Sequence, residues 1–287
     1  MDNENKDLIV LIKQSFPKLS KGQKLIAQFI LSNYDKAAFM TAAKLGRMVG
    51  VSESTVVRFA NALGFDGYPR LQKSLQELIK TKLTTVQRVE MATDYSDDFN
   101  ILNKVLKSDI ENIKGTLEDL NPKVFEEVID DIKTAKRIYI VGLRSSTAIA
   151  EYLGFYLNLI LDNVVVVSYG ISDVFEQIVK VTKDDLVIGI SFPRYSTKTH
   201  ELLDFASKKG AKVVSLTDSH LAPIASLSSR TLIIKSNMAS FVDSLVAPLS
   251  LVNALIVAIG MREKDKIKRY FDELESVWKE YKIYEEK

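Results

Sequence analysis

The feature that most constrains the fold is an alternation, over the second half of the chain, of short apolar runs with longer helical stretches. The helical stretches include residues 147–160 and 197–209, and a further helix is predicted from Asn121-Pro122 to about residue 134, with the asparagine as N-cap. Short β-branched runs with helical crossovers predict a mostly parallel sheet sandwiched between helices, an α/β domain. The apolar runs occupy residues 137–142, 164–168, 186–191, 212–217 and 231–234.

Polar clusters follow three of these runs, and ligands of parallel sheets bind beyond the carboxyl ends of the strands. "GLRSST" follows the first run, "SFPRYST" the third and "TDSH" the fourth. Hydroxyls and amides at two helix N-termini, with one guanidinium, would form a site for a phosphate or a carboxylate. The alternative is that the serines and threonines only cap helices. The residues predicted to bind a small anionic effector are Gly142, Ser145, Ser146, Ser191, Arg194, Ser196 and Thr197.

Several chemistries are excluded by residues that the chain lacks. "VGLRSS" is missing the second and third glycines of a dinucleotide fingerprint, so no nicotinamide cofactor is expected. There is no cysteine, and the only histidines, His200 and His220, are not spaced as a metal motif requires. The sequence therefore predicts neither a metal nor a cofactor.

The first eighty residues are predicted to be helical. Ser20-Lys21-Gly22-Gln23 fits a capping box and predicts a helix from about residue 21 to 33. In "TAAKLGRMVGVSESTVVRFANALGF", which begins at Thr41, Gly50 would end one helix with a positive φ and Ser52 would cap the next. Gly46 leaves room for the two helices to cross closely. This pattern predicts a helix-turn-helix.

Charge supports a nucleic-acid partner for that segment. Residues 1–80 contain twelve Lys or Arg and seven Asp or Glu, whereas the remainder is slightly acidic. Short polar groups and one guanidinium on the second helix could reach phosphates and base edges, although any amphipathic hairpin exposes polar residues. The residues predicted to contact double-stranded DNA are Lys44, Arg47, Ser52, Glu53, Ser54, Thr55, Arg58 and Asn61.

One uncharged segment, residues 244–261, approaches the length of a membrane span. It contains Pro248, Ser250 and Asn253 and is followed by a charged stretch, so we predict a buried core or subunit-interface helix and no membrane partner. The N-terminus lacks the features of a signal peptide, which favours a cytoplasmic protein. We predict an all-α domain over 1–83, a linker over 84–98 and the α/β domain over 99–287.

The motifs carry a resemblance to a known family. "GVSESTVVRFANALGFDGYPRLQKSL" resembles the DNA-binding half of the RpiR family of bacterial transcriptional regulators. "IYIVGLRSSTAIA" and "VIGISFPRYSTKTHELLDFASKKGAKVVSLTD" are similar to its sugar isomerase (SIS) domain. The resemblance implies a homodimer or homotetramer that binds operator DNA with an affinity set by a small, commonly phosphorylated sugar. It also implies that Ser146, Ser191 and Ser196 contact the phosphate.

The second phosphate loop departs from the family pattern. It usually reads Ser-x-Ser-Gly-x-Thr, but Pro193 and Arg194 stand where the middle serine and the glycine would be. Proline removes an amide donor and arginine adds charge, so a sugar acid becomes an alternative ligand to a sugar phosphate.

Two other functions stay open at the level of the sequence. A sugar-phosphate isomerase would need a base such as His200 or Glu201, which lie just past the loop. A phosphosugar-binding module could instead act through protein partners. The attached helix-turn-helix favours a sensor, and we expect no enzymatic activity.

Overall fold

A computed structural model describes residues 8–82, 85–91, 98–238 and 241–284. The chain divides into two compact units, residues 1–90 and 91–287. The boundary between them falls inside the predicted linker. Residues 85–91 of that linker form a helix, and residues 84 and 92–97 lie outside the described residues.

The first unit is entirely helical over its described residues. The predicted capping box is confirmed, since the Ser20 hydroxyl accepts from the Gln23 amide at 3.4 Å and the Gln23 side chain accepts from the Ser20 amide at 2.9 Å. Ile26, Leu45 and Phe59 are fully buried in its core. The helices are α1 Leu8–Ser15, α2 Lys21–Ser32, α3 Tyr34–Ala37, α4 Ala42–Val49, α5 Glu53–Ala62, α6 Gly67–Lys82 and α7 Thr85–Met91.

The second unit contains a five-stranded, all-parallel sheet in the order β2-β1-β3-β4-β5, which confirms the predicted fold class. All five predicted apolar runs are strands. The strands are β1 Ile138–Gly142, β2 Val164–Val167, β3 Leu186–Ile190, β4 Lys212–Thr217 and β5 Arg230–Ile233. The helices are α8 Asp98–Asp119, α9 Pro122–Thr134, α10 Thr147–Ile160, α11 Val174–Ile178, α12 Thr197–Lys208, α13 Val246–Arg262 and α14 Lys264–Glu280.

Both faces of the sheet are covered, and successive residues of a strand point to opposite faces. Ile138 and Ile140 pack against the buried residues of α9, α10 and α13. Tyr139 and Val141 pack on the other side with residues of α11 and α12. The apolar runs are continuous rather than alternating because both faces of the sheet are buried.

Helix α8 is joined to the segment after β5 by side-chain hydrogen bonds. The Asn112 amide group donates to the Asn237 carbonyl at 2.8 Å, and its oxygen accepts from the Asn237 amide at 2.9 Å. Thr116 accepts from the Lys235 amide at 2.9 Å. Asn112 and Thr116 are the only buried residues of this 22-residue helix.

The uncharged segment forms α13, which buries Leu251, Leu255 and Ile259 in the core of the second unit. The predicted core helix is confirmed. Among the described residues, no single helix is long and apolar enough to cross a membrane. Helices α13 and α14 meet the criteria of length and composition only as a pair, and they are bent by 99°.

The last helix, α14, has no buried residue. Its aromatic side chains include Tyr270 and Phe271, and its single tryptophan, Trp278, packs edge-on against Tyr284 with ring centroids 5.2 Å apart.

Candidate functional site

The predicted helix-turn-helix is formed by α4, the turn at Gly50–Ser52 and α5. Gly50 adopts a left-handed conformation with φ of 73°, and the Val51 amide donates to the Gly46 carbonyl at 2.8 Å. A Cβ on Gly46 would lie 2.8 Å from the Val51 carbonyl oxygen. A glycine is therefore needed at position 46 for the close crossing, as predicted.

Ser52 begins the second helix as its N-cap. Its hydroxyl accepts from the Thr55 amide at 3.3 Å and is 2.9 Å from the Ser54 hydroxyl. One turn further on, Arg58 is exposed, and its Nε donates to the Ser54 carbonyl at 3.3 Å. This bond leaves the terminal nitrogens of the guanidinium for another acceptor.

Two of the predicted DNA-contacting residues have structural roles. The Asn61 side chain accepts from the Gly67 amide at 3.1 Å and so fixes the turn into α6. Thr55 is partly buried, with its methyl group against Gly22 of α2. The other six predicted residues are exposed, namely Lys44, Arg47, Ser52, Glu53, Ser54 and Arg58.

In the second unit, the sheet order brings two of the three polar clusters to one crevice. β1 and β3 are neighbours in register, with Gly142 opposite Ile190, while β2 lies on the other side of β1. The connections after β1 and β3 therefore leave in opposite directions, which opens a crevice at the carboxyl ends of these strands. Loops 143–146 and 191–196 flank this crevice.

The role of Gly142 is steric. A Cβ at this position would lie 2.8 Å from the Ser146 carbonyl oxygen and 2.9 Å from the Ala150 Cβ. Only glycine lets the loop after β1 fold back so closely over the end of the strand. We assign Gly142 to shaping the site rather than to a side-chain contact.

Ser146 is the serine that the fold leaves available. It ends a 3₁₀ turn, Arg144–Ser146, and α10 begins at the next residue. Its side chain is buried, with 4% of the residue exposed, but it makes no capping hydrogen bond. The hydroxyl is therefore not engaged by its own helix, and the neighbouring Ser145 is exposed.

The hydroxyls of the second loop are engaged in holding that loop. Ser191 is buried, and its Oγ accepts from the Ser196 amide at 3.3 Å. Ser196 in turn caps α12, accepting from the Thr199 amide at 3.2 Å. These bonds pre-form the loop, and they correspond to the capping alternative considered for the sequence. Arg194 and Thr197 are exposed beside it.

Two further observations concern this crevice. The Tyr195 hydroxyl donates to Asp218 at 2.8 Å, which joins the loops after β3 and β4. Thr199 is fully buried, and among the residues that the structure describes its hydroxyl has no hydrogen-bond partner, an uncommon state for a buried polar atom.

Sequence reasoning missed Arg144. This residue is exposed, lies in the first loop and has a φ of 60°, a region that non-glycine residues seldom adopt. Its position two residues beyond the end of β1, between Gly142 and Ser145, could have indicated that it belongs to the first loop at the crevice. Each loop at the crevice thus carries one exposed arginine, Arg144 or Arg194.

The two residues considered as catalytic bases lie in the first turns of α12, just beyond the second loop. Glu201 pairs with Lys198 at 2.8 Å, and this hydrogen bond is the main cause of a raised pKa of Lys198. His200 precedes it on the same helix, α12. No group of three or more potential metal-ligating side chains occurs in the part of the chain that the structure describes.

Family models match both units. Residues 6–82 match the helix-turn-helix domain of the rpiR family, and residues 131–258 match the SIS domain. An uncharacterized helix-turn-helix transcriptional regulator from Haemophilus influenzae is 28% identical over 218 residues, 73% of each chain. The regulator HexR from Pseudomonas aeruginosa is 27% identical, covering 74% of this chain and 73% of its own.

Two solved structures have folds similar to that of this chain. The sugar isomerase domain of an RpiR transcription factor from Sphaerobacter thermophilus is 29% identical, with a TM-score of 0.58, over 60% of this chain and 96% of its own. The NanR protein of Vibrio vulnificus, complexed with ManNAc-6P, is 21% identical, with a TM-score of 0.58, over 94% and 97%.

These matches and the geometry define a class: a DNA-binding transcriptional regulator that carries a SIS domain. Within that class, the chain belongs to the RpiR family.

Proposed function

We propose that this regulator binds double-stranded operator DNA through α5 and that a small anionic sugar, bound in the β1/β3 crevice, controls its affinity for DNA. In this proposal the DNA-binding domain spans residues 1–83 and the effector domain residues 99–287. The protein acts in the cytoplasm as a homodimer or homotetramer, and it is not an enzyme.

The DNA-binding part is supported by the exposed surface of the helix-turn-helix. Arg58 lies on α5, and only its Nε takes part in the hydrogen bond to the Ser54 carbonyl of the same helix. Its terminal nitrogens can therefore pair with a phosphate or with the edge of a guanine. Lys44 and Arg47 lie on the preceding helix and contribute positive charge. We assign Arg58 to sequence readout and the other two cations to phosphate contacts.

The effector site rests on a single observation: Ser146 is a largely buried residue at the start of α10, yet its side chain does not cap that helix. Its hydroxyl can therefore donate a hydrogen bond to a ligand oxygen without giving up a bond to its own helix. Ser145 and the first amides of α10 lie beside it, and an anion is favoured at a helix N-terminus. The NanR protein was solved in complex with ManNAc-6P, a sugar phosphate, and this supports the same ligand class here.

The two arginines favour an effector with strong negative charge. In the proposed site the pre-formed loop 191–196 supplies Arg194, and the opposite loop supplies Arg144. Guanidinium groups bind phosphate and carboxylate in bidentate geometry. A sugar phosphate and a sugar acid both satisfy this requirement.

Effector binding alters DNA affinity only if the effector prefers one of two domain arrangements.

The engagement of Glu201 with Lys198 argues against the isomerase alternative. A turnover assay with the bound sugar phosphate would test that alternative directly.

The experiment is a fluorescence anisotropy titration of the full-length protein on DNA from upstream of its own gene, with a panel of sugar phosphates and sugar acids. Ser146→Ala should weaken the response to the active compound by about 10- to 100-fold, as for a lost hydrogen bond to a charged group. Ser207→Ala, an exposed serine near the end of α12, is the matched control. Equal responses of the two variants would refute the site.

A further inference from the structure

Helix α8 exposes an apolar stripe along its length, although it belongs to the folded second unit. The members recur at spacings of three or four residues and so lie on one face of the helix. Both ends of the stripe are the most exposed, with Phe99 at 72% and Leu117 at 75%. The α8 stripe consists of Phe99, Leu102, Leu106, Ile110, Ile113 and Leu117.

The hydrogen bonds that attach α8 to its own domain come from another side of the helix. The buried residues of α8, Asn112 and Thr116, face the segment after β5 and bond to its backbone. Asp109, on the same side, accepts from the Ser244 hydroxyl at 2.6 Å. Polar contacts on that side therefore hold the helix in place, and the α8 stripe lies exposed on another side.

The size of the stripe matches an interface. Six partly exposed large side chains present apolar surface on the order of 500 Å², the size at which patches on soluble proteins mark binding surfaces. The stripe runs about 27 Å along the helix, from Phe99 to Leu117. A standard interface buries about 800 Å² per partner, so the stripe with its polar flanks supplies most of that area.

The spacing of the stripe is nearly symmetric about residue 108. Phe99 and Leu117 lie nine residues to either side of this centre, and Leu106 and Ile110 lie two residues to either side. The remaining two members mirror each other to within one residue. A helix with this property matches a reversed copy of itself. Reversal about a two-fold axis is the geometry of an isologous dimer, in which residue i contacts j and j contacts i.

Charge also favours the reversed arrangement. Residues 98–108 carry two lysines and one aspartate, whereas residues 109–119 carry four acids and one lysine. An antiparallel pair places the basic half of one helix along the acidic half of the other. A parallel pair would place the two acidic halves side by side and align the helix dipoles unfavourably.

We propose that the α8 stripe is the dimer interface of this protein and that it pairs antiparallel with the α8 stripe of a second copy. This inference rests on the proposed function, because it names the surface that holds two DNA-binding domains at the spacing of two half-sites. In the pair, Phe99 packs near the partner subunit's Leu117, and Leu106 near the partner subunit's Ile110.

The absence of cysteine from the chain permits a test of the pairing direction. Full-length Phe99→Cys and Leu117→Cys variants, one of them carrying a size tag, are oxidised separately and as a mixture. Disulfides require Cα atoms within about 7 Å, and in the antiparallel pair each position lies about 27 Å from its own copy. The proposal is supported if a disulfide cross-link forms in the mixture of the two variants and in neither variant by itself. Cross-linking of either variant by itself, or no cross-link in the mixture, overturns the antiparallel pairing.

A second test measures association itself by sedimentation of the full-length protein. Leu106→Glu places two like charges near the axis and should weaken dimerisation by about 30-fold or more. Ile101→Glu alters an exposed residue of α8 outside the stripe and should leave the dimer intact. A dimeric Leu106→Glu protein, or a monomeric wild type whose stripe is covered by its own DNA-binding domain, would overturn the interface.

These outcomes are separable from those of the proposed function. A monomeric Leu106→Glu variant that still binds a half-site duplex and the active compound supports the interface and leaves the function in place. A protein that cross-links as expected but binds no operator supports the interface and removes the regulatory proposal.

Discussion

Replacement of Gly46 by alanine tests the packing on which the helix-turn-helix depends. The added Cβ would lie 2.8 Å from the Val51 carbonyl oxygen, 3.3 Å from the Ser52 carbonyl carbon and 3.4 Å from the Glu53 amide. All three neighbours are backbone atoms of the turn and of the start of α5, so no side-chain rotation relieves the contact. Helices α4 and α5 must move apart.

The magnitude follows from two opposing terms. Alanine is favoured over glycine inside a helix by about 1 kcal/mol. Overpacking against a rigid neighbour costs about 1–3 kcal/mol, and the 2.8 Å contact places this substitution toward the upper end. A net loss of about 1–2 kcal/mol results. For a unit of this size each kcal/mol lowers the midpoint by about 4–8 °C, so the first unit should melt roughly 5–15 °C lower.

The assay is calorimetry of the full-length protein, together with anisotropy on operator DNA, because a displaced α5 also weakens binding. Gly22→Ala is the matched control in the same unit: its Cβ would meet only side-chain methyl groups, of Thr55 at 3.3 Å and Val51 at 3.5 Å. That variant should keep or raise the stability, by no more than about 1 kcal/mol, because the same helix preference acts there without a contact to the backbone. A Gly46→Ala protein that melts at or above the wild-type temperature would refute the packing argument.

Four further predictions concern charged and polar groups. Arg58→Ala should lower operator affinity by about 1–3 kcal/mol in anisotropy titrations and relax sequence preference, and unchanged affinity would remove Arg58 from readout. Arg194→Ala should reduce the response of DNA binding to the effector. Arg144→Gly should reduce the same response but raise the stability of the second unit by about 1 kcal/mol, because glycine adopts a positive φ without strain. A loss of stability in Arg144→Gly would contradict the strain argument. Burial raises the pKa of Tyr68 to about 12, and its hydroxyl donates to the Met40 carbonyl at 2.7 Å. In the unfolded chain the pKa of Tyr68 is about 10, so its contribution to stability is complete below pH 10 and is lost as the pH rises to 12. The melting temperature of Tyr68→Phe should therefore fall less between about pH 9 and 12 than that of the wild type. The same pH profile in both proteins would exclude Tyr68 as the cause of the alkaline loss of stability.

Local sequence signals predicted much of the fold. Helix α10 begins and ends where the pattern placed it, at Thr147 and Ile160, and the capping box at Ser20 forms. These features depend on interactions within a few residues, such as a cap bond or an apolar period. Strands β2 and β3 end one residue before their predicted ends, at Val167 and Ile190. After β2, the Ser168 backbone bonds to the Gln177 side chain of α11 instead of to a neighbouring strand.

Features that depend on tertiary contacts could not be predicted in this way. Asn61 has the pattern of an outward polar residue of α5, but α6 uses its side chain as a hydrogen-bond acceptor. Ser146 and Ser196 are both serines at helix starts, yet Ser196 caps its helix and Ser146 does not. No helix was predicted over residues 98–119, and apolar periodicity there would have indicated a buried face, because only the structure shows which side of α8 its own domain covers.

The position of Trp278 has a spectroscopic consequence. It is the only tryptophan of the chain, and it lies in α14, edge-on to Tyr284. Emission excited selectively from tryptophan therefore reports on the C-terminal helix alone, while the DNA-binding unit contributes only tyrosine and phenylalanine. The unmodified protein thus contains its own probe of communication between domains: a change in emission on adding operator DNA would record, from a helix of the second unit, an event that begins at α5 in the first.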